Sequence, residues 1–283
     1  MTSYEFVRGR LRDDAEASRW VSRAIAHAAS ARRWVVSALT RSALVIALLA
    51  FWEIAPRAGL TEAAFLPPVS EVLQAGWELV LNGQLYEHLG ASLFRALGGF
   101  LIALVLFIPL GLAIGWYRGL GAVLNQIIDV LRNTAPLAIL PIFILLLGIG
   151  ELSKVTMVVY SCAWPLLLNT ASAVKQVDPL LVKSARTMGT TQLQLFVKVI
   201  LPAALPTIFV GVRLASASAI LVLIASEMVG AKAGLGYLVI YSQYSFLIPQ
   251  MYFGILAITG VGLTINFMLE RIERRLTRWR PAA

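Results

Sequence analysis

The sequence predicts an all-α, polytopic membrane protein with six transmembrane helices, and three observations predict it. The chain is 59% hydrophobic and 14% charged, with a mean hydropathy of +0.78, whereas soluble domains run near 45–50% apolar and about 25% charged. Its apolar residues fall in blocks close to the ~20 residues that cross a bilayer core. Its Lys and Arg residues gather in alternate connections between those blocks, as membrane topology requires.

Residues 1–41 precede the first block. Arg8, Arg10, Arg12, Arg19, Arg23, Arg32, Arg33 and Arg41 stand there against Glu5, Asp13, Asp14 and Glu16, with Trp20, Ala24, Ala28, Ala31 and Val35 at helical intervals. Two readings stay open: a basic helix lying on an anionic membrane face, or a mobile Ala-rich tail. A cleavable signal sequence is not expected, because the leader is long, carries acids and lacks a small-residue cleavage site. The membrane-spanning body is therefore assigned to residues 42–283.

The first span is read from Trp34 to Ile54, with Arg41 and Glu53 near its ends, where long side chains reach water. From Phe65 to Leu89 the chain predicts a helix along the interface, with Val69, Val72, Leu73, Trp77 and Val80 on one face, closed by an Asn82-Gly83 turn. The second span, Arg95 to Arg118, has no charge between those residues and contains Gly111-x-x-x-Gly115, a spacing that admits close helix approach. The third, Leu124 to Ile149, holds Arg132-Asn133-Thr134, and Pro136 and Pro141 are expected to interrupt its ladder. Broken polar helices at membrane depth line cavities or bury against protein. The fourth runs from Val155 to Val174. The fifth, Leu205 to Ser226, carries Arg213, and the sixth runs from Ile248 to Leu269; Glu227 and Gly234-Leu235-Gly236-Tyr237 fall between them.

Between the fourth and fifth spans lies a polar island, Asp178 to Pro202. Asp178 followed by Pro179 predicts a helix start, and Gly189 a left-handed stop. Thr191 and Gln194 have capping-box spacing for a second helix, expected to end where Pro202 interrupts the ladder. With six spans, the N-terminal arginines, Arg118, Lys175, Lys183, Arg186, Lys198 and the C-terminal Arg271, Arg274, Arg275, Arg278 and Arg280 share one side. Arg57, Lys154 and Lys232 take the other. The positive-inside rule places both termini and the island in the cytoplasm.

The island resembles the EAA loop of permease subunits of binding-protein-dependent ABC importers. That pattern is Glu-Ala-Ala, three residues, Gly, nine residues, an aliphatic residue, one more, then Leu-Pro. Here it is Lys183-Ser184-Ala185, Gly189, Val199, Leu201-Pro202, with Lys183 in place of the acid and Ser184 in place of the first alanine. Phe65-Leu66-Pro67-Pro68, Arg132 to Ala138 with Pro141, Gly211-Val212-Arg213, Glu227 and Gly234 to Tyr237 are similar to the branch importing sulfonates, taurine, nitrate and bicarbonate.

The resemblance implies a type I importer permease fold in the cell inner membrane and a homodimeric pore. It also implies cytoplasmic ATPase subunits and a periplasmic substrate-binding protein as partners. Lys183, Ser184, Ala185, Arg186, Gly189, Leu201 and Pro202 are then the ATPase-coupling candidates. The translocation-path candidates are Arg132, Asn133, Arg213 and Glu227, since an intramembrane charge normally faces protein or water. A structural reading stands beside each: Arg132 and Arg213 can pair with an acid such as Asp129, and Glu227 can anchor the outer end of the fifth span. Asn133 and Thr134 can hydrogen-bond backbone groups freed by Pro136. Arg95, which opens the second span, is read as a headgroup-boundary residue.

No phosphate-cradling Gly-x-x-x-x-Gly-Lys-Ser/Thr occurs, so the chain is not expected to bind nucleotide itself. No Ser-His-Asp, Cys-His or paired-carboxylate set at membrane depth supports catalysis. No cofactor or metal is expected: Cys162 is the only cysteine, and His27 and His88 stand apart. The formal charge of +9 follows from topology rather than from nucleic-acid binding. The competing classes are an ion-coupled secondary transporter, which calls for an internal repeat and buried coupling acids, and a membrane scaffold without a pathway.

Overall fold

The structure is a computed structural model and describes residues 43–277 apart from Ala63. The predicted N-terminal helix, the start of the first span and the last C-terminal arginines lie outside the described residues. The chain divides into two compact units, at Ser70 and Glu71.

In the first unit, helix α1 (residues 43–57) is the second half of the predicted first span. Its Glu53 accepts hydrogen bonds from the Ser70 amide at 3.0 Å and the Ser70 hydroxyl at 2.9 Å, while Arg57 donates to that hydroxyl at 2.9 Å. Trp52 Nε1 donates to the Pro67 carbonyl at 3.1 Å. The Pro67-Pro68 segment is thus tied back onto α1.

The second unit contains α2 (Val69–Leu81, from Glu71 onward), α3 (Gln84–Trp116), α4 (Arg118–Arg132), α5 (Pro136–Leu147) and α6 (Glu151–Lys175). After them come α7 (Pro179–Thr187), α8 (Gln192–Leu195), a π-helical turn (Phe196–Ile200), α9 (Leu201–Glu227), α10 (Leu235–Tyr244) and α11 (Ile248–Leu276). Four of the described helical stretches are long and apolar enough to cross a membrane: α3, α6, the run Gln192–Glu227, and α11. The α4–α5 pair passes the same test as one span bent by 93°.

The centre is α6, flanked by α3 and α9, and its packing is made by small residues. A Cβ on Gly111 would lie 2.8 Å from the Thr170 Cβ and 3.1 Å from the Leu167 carbonyl. One on Gly115 would lie 2.7 Å from the Val174 Cβ. The Gly-x-x-x-Gly spacing therefore lets α3 and α6 touch along their backbones. Ala103, Cys162, Ala215 and Ala219 continue this small-residue seam, with the Cys162 thiol donating to the Ala215 carbonyl at 3.3 Å. Large apolar side chains such as Leu101, Val105, Leu145 and Leu221 point outward.

Helix α2 divides its apolar residues between an inner and an outer face. Its buried residues are Val72, Ala75, Gly76 and Leu79, while Leu73 and Trp77 are exposed. The Asn82-Gly83 turn forms as predicted, with Gly83 at φ 74°.

Two predicted helix breaks are corrected. Pro141 lies inside α5 without ending it, and the third span breaks only before Pro136, which takes the first turn of α5. Nor does Pro202 end its helix: the chain stays helical from Gln192 to Glu227. The π-turn just before it lets the Leu201 amide reach the Phe196 carbonyl. This shifts the ladder where the proline has no N–H to give.

Candidate functional site

At the end of the bundle where α3 and α6 finish, the island folds as its residues dictate. The Asp178 carboxylate accepts from the Leu180 amide at 2.8 Å, starting α7. Gly189 has φ 75°, which turns the chain back, a conformation costly for residues with a Cβ. The Thr190 hydroxyl donates to the Ala185 carbonyl at 2.9 Å, and Thr191 and Gln194 form a reciprocal capping box at 3.3 and 3.1 Å. Leu195 and Ala185 are buried in the core beneath α9, while Leu180, Met188 and Leu193 are exposed.

Of the coupling candidates, Lys183, Ser184 and Arg186 are exposed, Leu201 and Pro202 are half-buried at the start of α9, and Gly189 makes the turn. Ala185, by contrast, is buried and packs against its own chain, so of the small residues at this position Ser184 alone is presented outward.

Midway along the bundle, α4 ends and α5 turns away. The carbonyls of the last turn of α4 lack helical partners. Asn133 Nδ2 donates to the Asp129 carbonyl at 2.6 Å, and the Tyr160 hydroxyl, from α6, donates to the Leu131 carbonyl at 3.0 Å. Tyr160 also meets Phe143 and Trp164 edge to face, with ring centroids 5.9 and 5.2 Å away. Arg132 pairs with Asp129 at 2.8 Å, and both are largely exposed. The break thus sets Arg132, Asp129 and Asn133 beside an aromatic wall.

At the far end, Arg95 joins α3 to α6, α9 and the turn before α10. Its guanidinium holds Glu151 with two hydrogen bonds, one of them 2.7 Å from Nη2 to Oε1. Nη1 reaches Glu227 at 2.7 Å and the Ala233 carbonyl at 2.6 Å. Glu227 also accepts from the Ser92 hydroxyl at 2.8 Å and from the Gly236 amide at 3.0 Å. Ser92 Oγ accepts from the Leu235 amide at 2.8 Å, and His88 Nδ1 from the Gly234 amide at 3.3 Å. Gly234 has φ 130°, and a Cβ there would overlap the Glu227 carboxylate.

Arg95 stands about three turns into α3 and is only 3% exposed, so its side chain faces protein. Glu227 has no exposed surface at all. It ties the end of α9 to α3 and to the turn before α10, and it does not line an open face of this chain. Arg213, some four turns earlier on α9 and thus roughly 20 Å away, pairs with Glu273 of α11 at 3.4 Å. The four path candidates do not converge: only Arg132 and Asn133 share a place.

The Arg95 cluster is what sequence reasoning missed. Its signal was present, since an Arg and a Glu in separate apolar helices are each costly unless they meet. Nothing in the sequence pointed to Tyr160 as the partner of the broken helix.

A bundle of apolar helices with one broken span, sealed at one end by buried charges and carrying a paired-helix loop at the other, defines a multi-pass membrane transport subunit. The chain belongs to the family described as the inner membrane component of binding-protein-dependent transport systems, which matches residues 107–279. It is 34% identical over 239 residues to a putative aliphatic sulfonates transport permease protein of Escherichia coli (strain K12), covering 84% of this chain and 91% of that one. Over 256 residues it is 32% identical to the taurine transport system permease protein of the same organism, covering 87% and 92%. With the bicarbonate transport system permease protein of Synechococcus elongatus it shares 33% identity over 200 residues, 70% of each chain. Among solved structures, a chain of the inward-facing MetNI methionine ABC transporter matches with a TM-score of 0.57 at 20% identity. That match covers 66% of this chain and 93% of the other, and it shows a shared fold.

Proposed function

We propose that this chain is the pore-forming subunit of an ATP-driven importer, working as a homodimer with two cytoplasmic ATPase subunits and a periplasmic binding protein. The island carries the reading: a complete loop spacing, with α7 and the Gly189 turn presenting Ser184, Leu180 and Met188 outward for an ATPase groove. Exposed apolar side chains in a water-facing loop are the mark of a docking surface. Both termini and the island face the cytoplasm in this arrangement, as the charge distribution supports.

The chain has a mechanical link suited to that task. From Gln192 to Glu227 it is one helical run of 36 residues, roughly 54 Å at 1.5 Å per residue. It starts in the loop that meets the ATPase and ends in the Arg95–Glu227 cluster. Closure of the ATPases moves α7 and α8, and the run carries that displacement to the outer helix ends while the buried ion pair keeps α3, α9 and the α10 turn together. The substrate is a small organic or inorganic anion such as a sulfonate, taurine, nitrate or bicarbonate. The names of the relatives support this class, and so does a cation set in the broken span, Arg132 beside Asn133.

Reconstitution tests the reading. Proteoliposomes holding the chain with its co-purifying ATPase should accumulate a labelled anion only when ATP and the liganded binding protein are supplied on opposite faces. Uptake driven by an ion gradient without ATP would overturn it.

A further inference from the structure

We infer that the island end of this chain holds an anionic phospholipid of the cytoplasmic leaflet, headgroup against Lys175, Lys183 and Arg186 and one acyl chain along α3. Two adjoining grooves carry the inference. One, of about 1000 Å³, runs between the ends of α3 and α6 and the inner side of α7, and those three cations line it. The other, of about 490 Å³, is apolar and lies between Leu112 of α3 and Leu193 and Phe196 of the α8 run. Trp116, Tyr117 and Gln192 line both. A basic cleft thus opens into an apolar one across an aromatic rim.

Each part matches one portion of a phospholipid. Among the described residues none of the three cations has an ion-pair partner. Asp178, the acid nearest in sequence, is turned to the Leu180 amide. Like charges gathered on one cleft repel unless an anion enters, and basic pockets beside cytoplasmic helix ends take acidic headgroups. Trp116 and Tyr117 close the apolar helix α3, and aromatic side chains at the ends of membrane spans settle at headgroup level. The edge contact of Trp116 with Phe196, at 5.2 Å between centroids, joins α3 to the island across the apolar groove. An acyl chain there continues that packing. The N-terminal segment is a poor occupant, because its arginines carry the same sign of charge as the cleft.

This inference goes beyond the importer reading and does not depend on it, since lipid retention is read on the full-length chain without ATPase. The chain is purified in mild detergent from nanodiscs of equal phosphatidylglycerol and phosphatidylethanolamine, and retained lipid is read by native mass spectrometry. Phosphatidylglycerol should be kept in clear preference. The triple substitution K175Q/K183Q/R186Q should weaken retention roughly 100-fold, about fivefold for each cation removed. Leu112→Trp, which fills the apolar groove and keeps the cations, should also lower retention while leaving binding of soluble glycerol phosphate unchanged. Equal retention of both lipids would overturn the inference, as would an unaltered triple variant that is shown to be folded. Displacement of the lipid by inorganic phosphate at millimolar concentration would assign the cleft to a free anion and overturn it too.

Discussion

Glu227→Ala is the substitution whose consequence the structure sets most narrowly. The wholly buried carboxylate accepts from Arg95 at 2.7 Å, from Ser92 at 2.8 Å and from the Gly236 amide at 3.0 Å. Breaking a buried ion pair from one side costs about 3–5 kcal/mol, because the partner's charge is left behind. Arg95 keeps Glu151 and the Ala233 carbonyl, so the loss should fall near the lower end, about 3 kcal/mol. Arg95→Met should cost more, since Glu227 then keeps only neutral donors. The Glu151 side chain is 61% exposed, so Glu151→Gln should cost under about 1 kcal/mol. Unfolding of the purified chain in mixed micelles, followed by tryptophan fluorescence as denaturing detergent is added, measures all three. In the double variant Arg95→Met/Glu227→Ala the losses should be clearly less than additive, by at least about 2 kcal/mol. Additive losses, or equal costs for Glu227→Ala and Glu151→Gln, would refute the reasoning.

Other expectations follow from single contacts. Gly111→Leu drives a side chain into Thr170 and the Leu167 carbonyl, so it should lower stability by about 1–3 kcal/mol or more in the same titration, whereas at Gly98, with open space around it, Leu should be tolerated. Thr191→Ala removes one arm of the capping box and should cost about 1 kcal/mol; hydrogen exchange of the α8 amides would report it. Gly189→Val meets no neighbour but keeps φ 75°, a strain of about 1–2 kcal/mol, and should leave ATP hydrolysis running while uptake falls; unimpaired uptake with the ATPase still bound would count against coupling through this loop. Arg132→Gln should raise the substrate concentration needed for half-maximal uptake without changing assembly, and normal transport kinetics would remove Arg132 from the path.

The sequence made the helices legible and left their faces obscure. Apolar blocks located α3, α6, α9 and α11, and the glycine spacing at Gly111 and Gly115 marked a contact that the structure places against α6. Local chemistry was legible in the island, where Asp178, Gly189, Thr191 and Gln194 do what their positions require within a few residues of chain. In α2 the apolar residues divide, Val72 packing inward while Leu73 and Trp77 stay exposed, and residue type alone does not say which of them meets protein. Pro202 was misjudged because a π-turn absorbs it, and that adjustment leaves no mark in residue type. The ion pair of Arg95 and Glu227 joins residues distant in sequence, so pattern showed two costly charges and only the fold showed that they meet. Arg213 was open to either reading, and its pairing with Glu273 needed the crossing of α9 and α11.

ATP-dependent uptake tests the central claim most directly. With the chain reconstituted beside its co-purifying ATPase, binding protein outside and ATP enclosed, a panel of labelled sulfonate, taurine, nitrate and bicarbonate should show at least one anion accumulating against its gradient. That accumulation should stop when the ATPase is inactivated. Accumulation that persists without ATP hydrolysis and follows an imposed proton or sodium gradient would contradict the account.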